Sequence, residues 1–135
     1  MDHLPAESRS KHMALIKGRD TGPEMIVRRL VHSMGFRYRL YRSDLPGKPD
    51  LVFGPRRKVI FVHGCFWHQH KAENCRHSVP KSRTDYWLPK LKRNVERDQQ
   101  NLNKLEKDGW QSLVIWECEL RELAEVRRRI LAFLE

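Results

Sequence analysis

The chain has no long apolar run, no signal peptide and no lipidation motif, which argues against a membrane role and makes the cytosol the expected compartment. It has only three cysteines, Cys65, Cys75 and Cys118. An odd, small number argues against a disulfide framework and leaves core thiols, metal ligands or catalytic groups. No internal repeat, low-complexity tract or interdomain linker interrupts the 135 residues, a length that fits one domain over 1–135. Acidic residues are also in short supply. Against 27 Lys and Arg stand 17 Asp and Glu, a net charge of +10 with a pI near 10.0. That excess creates a field favouring a polyanion, and nucleic acid is the commonest one. The 39% hydrophobic and 33% charged residues fit a globular protein with a busy surface.

Along the chain, residues 1–20 are polar and basic, with Arg9 and Lys11 ahead of Met13, and read as a short helix or a flexible DNA-contacting arm. A helix follows Gly22, with Pro23 in its first turn and Met25, Ile26, Leu30, Val31 and Met34 on its apolar face; Gly35 ends it. Phe36, Tyr38 and Leu40 alternate with Arg37, Arg39 and Tyr41, the period of a half-buried strand. Asp50 opens a short apolar strand over 51–53, a tight turn follows at 54–57, and 59–62 reads as the returning central strand. Residues 65–83 are dense in His, Cys, Lys and aromatics without periodicity. A long helix is expected over about 85–107, with Pro89 near its first turn and Gly109 as its stop. A buried strand over 110–116 and a final amphipathic helix lined by Leu120, Leu123, Val126, Ile130 and Phe133 complete an α/β domain with a mixed sheet.

Two acids stand out. On the long helix Leu88, Leu91, Val95, Leu102 and Leu105 form one stripe, and Asp98 falls on it. A carboxylate facing a core is costly unless bonded, so Asp98 is either half of an ion pair or a site residue. An inward acid that accepts from one imidazole nitrogen fixes the other as a base. Asp50 enters a strand after Pro49, ahead of a hairpin, which resembles the layout of the restriction-endonuclease-like nucleases. There the Asp binds a divalent cation and the second strand carries an acid and a lysine. Here that strand holds Phe61, Val62 and His63 instead.

The departure is itself a resemblance. His63-Gly64-Cys65-Phe66-Trp67-His68 is similar to the signature of the Vsr-type very-short-patch-repair endonucleases. The stretches 9–13, 45–50, 80–87, 94–98 and 109–118 resemble the same family in order, so the similarity covers nearly the whole chain. It implies a restriction-endonuclease-like mixed β-sheet flanked by helices, and a nick in one strand of duplex DNA beside a T:G mispair. It also implies Mg²⁺ on the Asp50 carboxylate and the Val62 main-chain carbonyl, His68 as the base held by Asp98, His63 at the scissile phosphate, and Glu24 close by. These residue types suit phosphodiester hydrolysis, which needs an activated water and cations against the charge of the attacked and leaving oxygens.

The resemblance also assigns the cysteines. Cys65, Cys75 and Cys118 with His70 make the Cys₃His set of a closed structural Zn²⁺ site; a long gap between His70 and Cys75 leaves His77 as the alternative to His70. Phe66, Trp67 and Trp87 match aromatics that wedge into the stack beside the mismatch, where unstacking is cheapest. Lys90 and Asn94, one helical turn apart, match positions that read the mispair, with Met13 completing the contact. Lys81, Arg83, Lys92, Arg93 and Arg97 flank the site as phosphate contacts, whereas Arg127, Arg128 and Arg129 read as a solvated face. The expected partners are double-stranded DNA with a T:G mismatch and other mismatch-repair proteins, the chain acting as a monomer. The competing readings are a restriction-type or relaxed-specificity nuclease, a non-catalytic zinc-stabilised DNA-binding module, and a structural protein. Neither of the last two has a use for Asp50, His63, His68 and Asp98 together.

Overall fold

The computed structural model describes residues 21–40, 42–70, 75 and 82–135; the 1–20 arm, Met13, His77 and Lys81 lie outside them. The elements run α1 (Gly22–Ser33), β1 (Leu51–Phe53), a 3-10 turn (Gly54–Arg56), β2 (Lys58–His63), α2 (Thr84–Lys107), β3 (Gln111–Trp116), a 3-10 turn (Glu117–Arg121) and α3 (Leu123–Leu134). β1 and β2 form an antiparallel hairpin with Leu51 opposite Ile60 and Phe53 opposite Lys58. β2 then pairs parallel with β3, from Lys58 beside Gln111 to His63 beside Trp116. A parallel pair needs a long crossover, and α2 supplies it.

The short strands are apolar at almost every position because both faces of the sheet are covered. Leu51, Phe53, Ile60, Val62 and Ile115 pack with Val27 and Val31 of α1 and Val126, Ile130 and Leu134 of α3. Val52, Val59 and Phe61 point the other way, against Leu105 of α2, Leu45 and Trp110. Strand alternation therefore sends His63, in phase with Phe61, to the α2 side of the sheet. Gly47, at φ +78°, closes the loop before β1; a Cβ there would sit 3.1 Å from Asn101 and from the Phe61 ring.

Several sequence expectations change. Residues 36–40 keep their alternation, with Phe36 and Tyr38 packed on the core. Their ladder, however, is a single bridge in which Arg39 and Val52 exchange N–H to carbonyl bonds of 2.9 Å each. β1 is only three residues long and offers no more edge to pair with. α1 keeps most of its expected face, with Val31 fully buried and Leu30 and Met34 packed on the core, but Val27 is fully buried while Ile26 is exposed. Leu88 and Leu123 sit at helix ends beyond the core and are exposed. Pro89 lies inside α2, past its first turn, where its missing N–H leaves the Asp85 carbonyl without that helical bond. Arg129 is not part of a solvated face. Its Nη1 donates to Glu119 Oε2 at 2.8 Å and its Nη2 to the Val114 carbonyl at 3.2 Å, fastening α3 to the end of β3.

Candidate active site

The hairpin register brings Asp50 alongside the end of β2, where the Val62 N–H donates to Asp50 Oδ2 at 2.6 Å. α1 begins with the Thr21 hydroxyl accepting the Glu24 N–H at 3.4 Å, and it lays Glu24 into the same region. The Glu24 side chain is buried and takes a hydrogen bond of 3.3 Å from Arg28 Nη2, one helical turn on. A cleft of about 200 Å³ is lined by Glu24, Asp50, Val62, His63, His68 and Asp98, with Lys48 and Asn101 at its wall. Burial pushes the Asp50 carboxyl up to about 7. The Val62 bond opposes that rise, the Glu24 charge adds to it, and Arg28 offsets part of it. A buried carboxyl and a half-buried one facing one cleft are an oxygen donor set that a divalent cation relieves, so the residues present fit a hard metal ion.

After Gly64 the chain makes one tight turn, with the His68 N–H on the Gly64 carbonyl at 3.1 Å and the His70 N–H on the Cys65 carbonyl at 3.0 Å. That turn carries His68 back over the sheet to α2. His68 Nδ1 lies 2.5 Å from Asp98 Oδ2. With the carboxylate accepting, the proton sits on Nδ1 and Nε2 carries the lone pair. The inward acid on the leucine stripe thus meets an imidazole rather than an arginine. His63 stacks on His68 with ring centroids 3.9 Å apart and planes 5° from parallel. Burial foremost, and then the neighbouring His68, lower its pKa to about 4, against a smaller pull from Asp98. His63 is accordingly neutral at neutral pH.

On the far side of the turn Cys65, His70, Cys75 and Cys118 bring their donor atoms within 4.8 Å of one another. His70 Nδ1 is 3.3 Å from Cys118 Sγ and 3.8 Å from Cys65 Sγ. A tetrahedral site with metal–sulfur bonds of about 2.3 Å and metal–nitrogen bonds of about 2.0–2.1 Å has donor–donor edges of about 3.5–3.8 Å, so the set fits a four-coordinate soft metal. The alternative histidine, His77, lies outside the described residues.

Phe66, Trp67 and Trp87 form one aromatic cluster with ring centroids 5.2–5.9 Å apart. Trp67 is 41% exposed. Lys90 Nζ lies over Trp67 at 5.8 Å and over Tyr86 and Trp87 at 5.7 Å, and Asn94 Nδ2 donates to the Trp67 carbonyl at 3.2 Å. A second cleft of about 570 Å³, lined by Phe66, Trp67, Lys90 and Glu117, shares Glu24, Val62 and His68 with the first. Every site residue expected from the sequence within the described region therefore falls in one of three adjoining groups. Sequence reasoning missed Arg28, Tyr86 and Trp116. The spacing of Arg28 four residues after Glu24 was the available signal for the first.

Among the described residues no helix is long and apolar enough to cross a membrane. The family model described as DNA mismatch endonuclease Vsr matches residues 1–74. The type II nicking enzyme V.XorIIP of Xanthomonas oryzae pv. oryzae is 47% identical over 135 residues, covering 99% of this chain and 97% of that protein. The DNA mismatch endonuclease Vsr of Escherichia coli K12 is 44% identical over 114 residues, covering 84% and 72%. The catalytic domain of homing endonuclease I-Bth0305I shares the fold, with a TM-score of 0.59 at 21% identity over 84% of this chain and 94% of that domain. A mixed sheet bearing this cluster of acids and histidines, in a chain matched over residues 1–74 by the family model and at 44–47% identity by such relatives, places the protein in a family: it belongs to the Vsr DNA mismatch endonucleases.

Proposed function

We propose that this chain nicks one strand of duplex DNA beside a T:G mispair by Mg²⁺-dependent hydrolysis, as a step of very-short-patch repair, with Zn²⁺ as a structural staple. The observation that carries the reading is the bonded His68–Asp98 pair in a cleft shared with Asp50 and buried Glu24, next to an exposed aromatic surface. Asp98 holds the His68 ring so that Nε2 can take a proton from water. Neutral His63, stacked on His68, offers its ring to the phosphate without adding a charge that would compete with His68 for the proton. Asp50 and the Val62 carbonyl would hold Mg²⁺, with Glu24 at the edge of the same shell. When bound, the ion neutralises charge on the attacked and leaving oxygens. Glu24 stays where Arg28 keeps it, buried and facing the cleft.

Cys65, His70, Cys75 and Cys118 would hold Zn²⁺ with four protein ligands and no open position, which fits a scaffold and not a catalyst. Phe66, Trp67 and Trp87 would enter the base stack, and Lys90 and Asn94 would face the mispair; a mispair unstacks at lower cost, which is a physical source of preference. The net charge of +10 draws a duplex to the protein without regard to sequence. The test is direct. Duplexes labelled on one strand and differing only in T:G or T:A at one position are incubated with the protein and Mg²⁺. A nick in the T:G duplex alone is expected; no mismatch-dependent nick in any sequence context overturns the reading.

A further inference from the structure

Four rings join the metal centre to the histidine pair, and the ring in the middle is Trp116. In the parallel register Trp116 lies beside His63, so both side chains leave the same face of the sheet. The indole stacks flat on His70, with centroids 4.1 Å apart and planes 5° from parallel. Toward the histidine pair it stands edge-on, 5.1 Å and 77° from His63 and 6.4 Å and 74° from His68. His70 belongs to the Cys₃His set, and His63 and His68 belong to the cleft.

The orientation of a working imidazole is ordinarily set by a hydrogen bond to its second nitrogen. His68 has that bond, to Asp98. His63 does not: its Nδ1 is buried and has no hydrogen-bond partner among the described residues. Its plane is set by rings instead, with His68 on one face, Trp116 edge-on, and Phe61 at 5.6 Å and 54°. Trp116 is itself fixed. Its main-chain N–H donates to Glu119 Oε1 at 2.8 Å, Glu119 is held by Arg129, and His70 covers the indole face.

We infer that Trp116 is a positioning residue: its indole fixes the plane of the His63–His68 stack and ties that plane to the metal-held His70. This rests on the reading of His63 and His68 given above. An indole that merely filled space would be replaced by any apolar side chain of similar reach. A positioning indole is replaced only by a flat one.

The test uses the full-length, zinc-loaded protein with Trp116→Leu and Trp116→Phe. A misplacement of about 1 Å costs on the order of 100-fold in rate, so Trp116→Leu is expected to slow single-turnover nicking of a T:G duplex by about 10–100-fold. Duplex affinity and one bound zinc per chain should be unchanged. Trp116→Phe should recover most of the rate. In imidazole NMR spectra the His63 and His68 signals should move in Trp116→Leu while that of His32, on α1, stays put. A measurement on the unsubstituted protein does not depend on either variant folding: exchanging zinc for the larger cadmium ion should shift the His63 and His68 signals as well as that of His70. Full nicking rate in Trp116→Leu, loss of zinc with no rescue by Phe, or cadmium shifts confined to His70 would each overturn the inference. Failure of the unsubstituted protein to nick any mismatch counts against the functional reading alone, because the NMR arms still test the coupling of the rings.

Discussion

At the scale of single residues the site is a set of buried and half-buried polar groups, each bonded to one neighbour. Asp98 has His68, Asp50 has the Val62 N–H, and Glu24 has Arg28. Removing the neighbour, rather than the group, tests what the bond does. Asp98→Asn keeps the shape but lets Nδ1 of His68 take the wrong tautomer. A positioned base is worth about 10²–10⁴-fold, so single-turnover nicking should fall by at least about 100-fold while zinc content and duplex affinity hold. Asp50→Ala should abolish nicking in the same assay with the circular dichroism spectrum intact. Asp98 was legible in the sequence because a lone acid among leucines breaks the helical period. For Arg28 the spacing from Glu24 was legible but its burial was not, since a basic residue on an amphipathic helix reads as solvated until the sheet beneath it is known.

Elements carry the division of labour. The turn after Gly64 sends Cys65 and His70 one way, to the metal set, and Phe66 and Trp67 the other, to the aromatic surface. Base–aromatic stacking is worth about 1–3 kcal/mol, so Trp67→Ala should weaken binding to a T:G duplex by that amount, in equilibrium titrations that leave a fully paired duplex nearly unaffected. α3 contributes no site residue but closes the sheet face behind β2. Ile130 is fully buried there, and Ile130→Ala should lower unfolding free energy by about 2–5 kcal/mol in denaturant titrations with the nicking rate of the folded fraction preserved. The run Arg56, Arg57 and Lys58 has a structural use that composition hid. Arg56 and Lys58 donate to the Leu134 and Phe133 carbonyls at the end of α3, and Arg57 to the Asp108 carbonyl at the end of α2. Cations at helix C-termini answer the exposed carbonyls and the dipole.

For the molecule as a whole, the net charge and the Cys₃His donor set govern what a change of conditions should do. Each neutralised phosphate contributes about −0.9 to the slope of log affinity against log salt, so binding to any duplex should weaken steeply between low and physiological salt. Mismatch preference should survive that change, because it arises from unstacking and not from charge. Removing the metal with a strong zinc chelator, or substituting Cys118→Ala, should lower the melting temperature and broaden unfolding, since the 64–70 turn has metal donors where a core would otherwise be. The same treatment should leave α1 and α3 packed on the sheet, a difference that hydrogen exchange resolves.

The charge of the chain and the acid on the leucine stripe were legible from the residues themselves, and the His63 to His68 segment and the cysteine set through the family resemblance they carry. Burial leaves a period along one element, and a ligand set leaves a composition. The strands at 51–53 and 58–63 were readable for the same reason, as apolar runs between turns. Residues 36–40 have the period of a strand and yet form one bridge, because a ladder also needs a partner of sufficient length, and β1 is short. The stack of His63 on His68 and the indole between His70 and His63 were invisible for a related reason. Both join residues whose contact depends on strand register and on the crossover of α2. No local pattern encodes those distances; they exist only once the two faces of the sheet are packed.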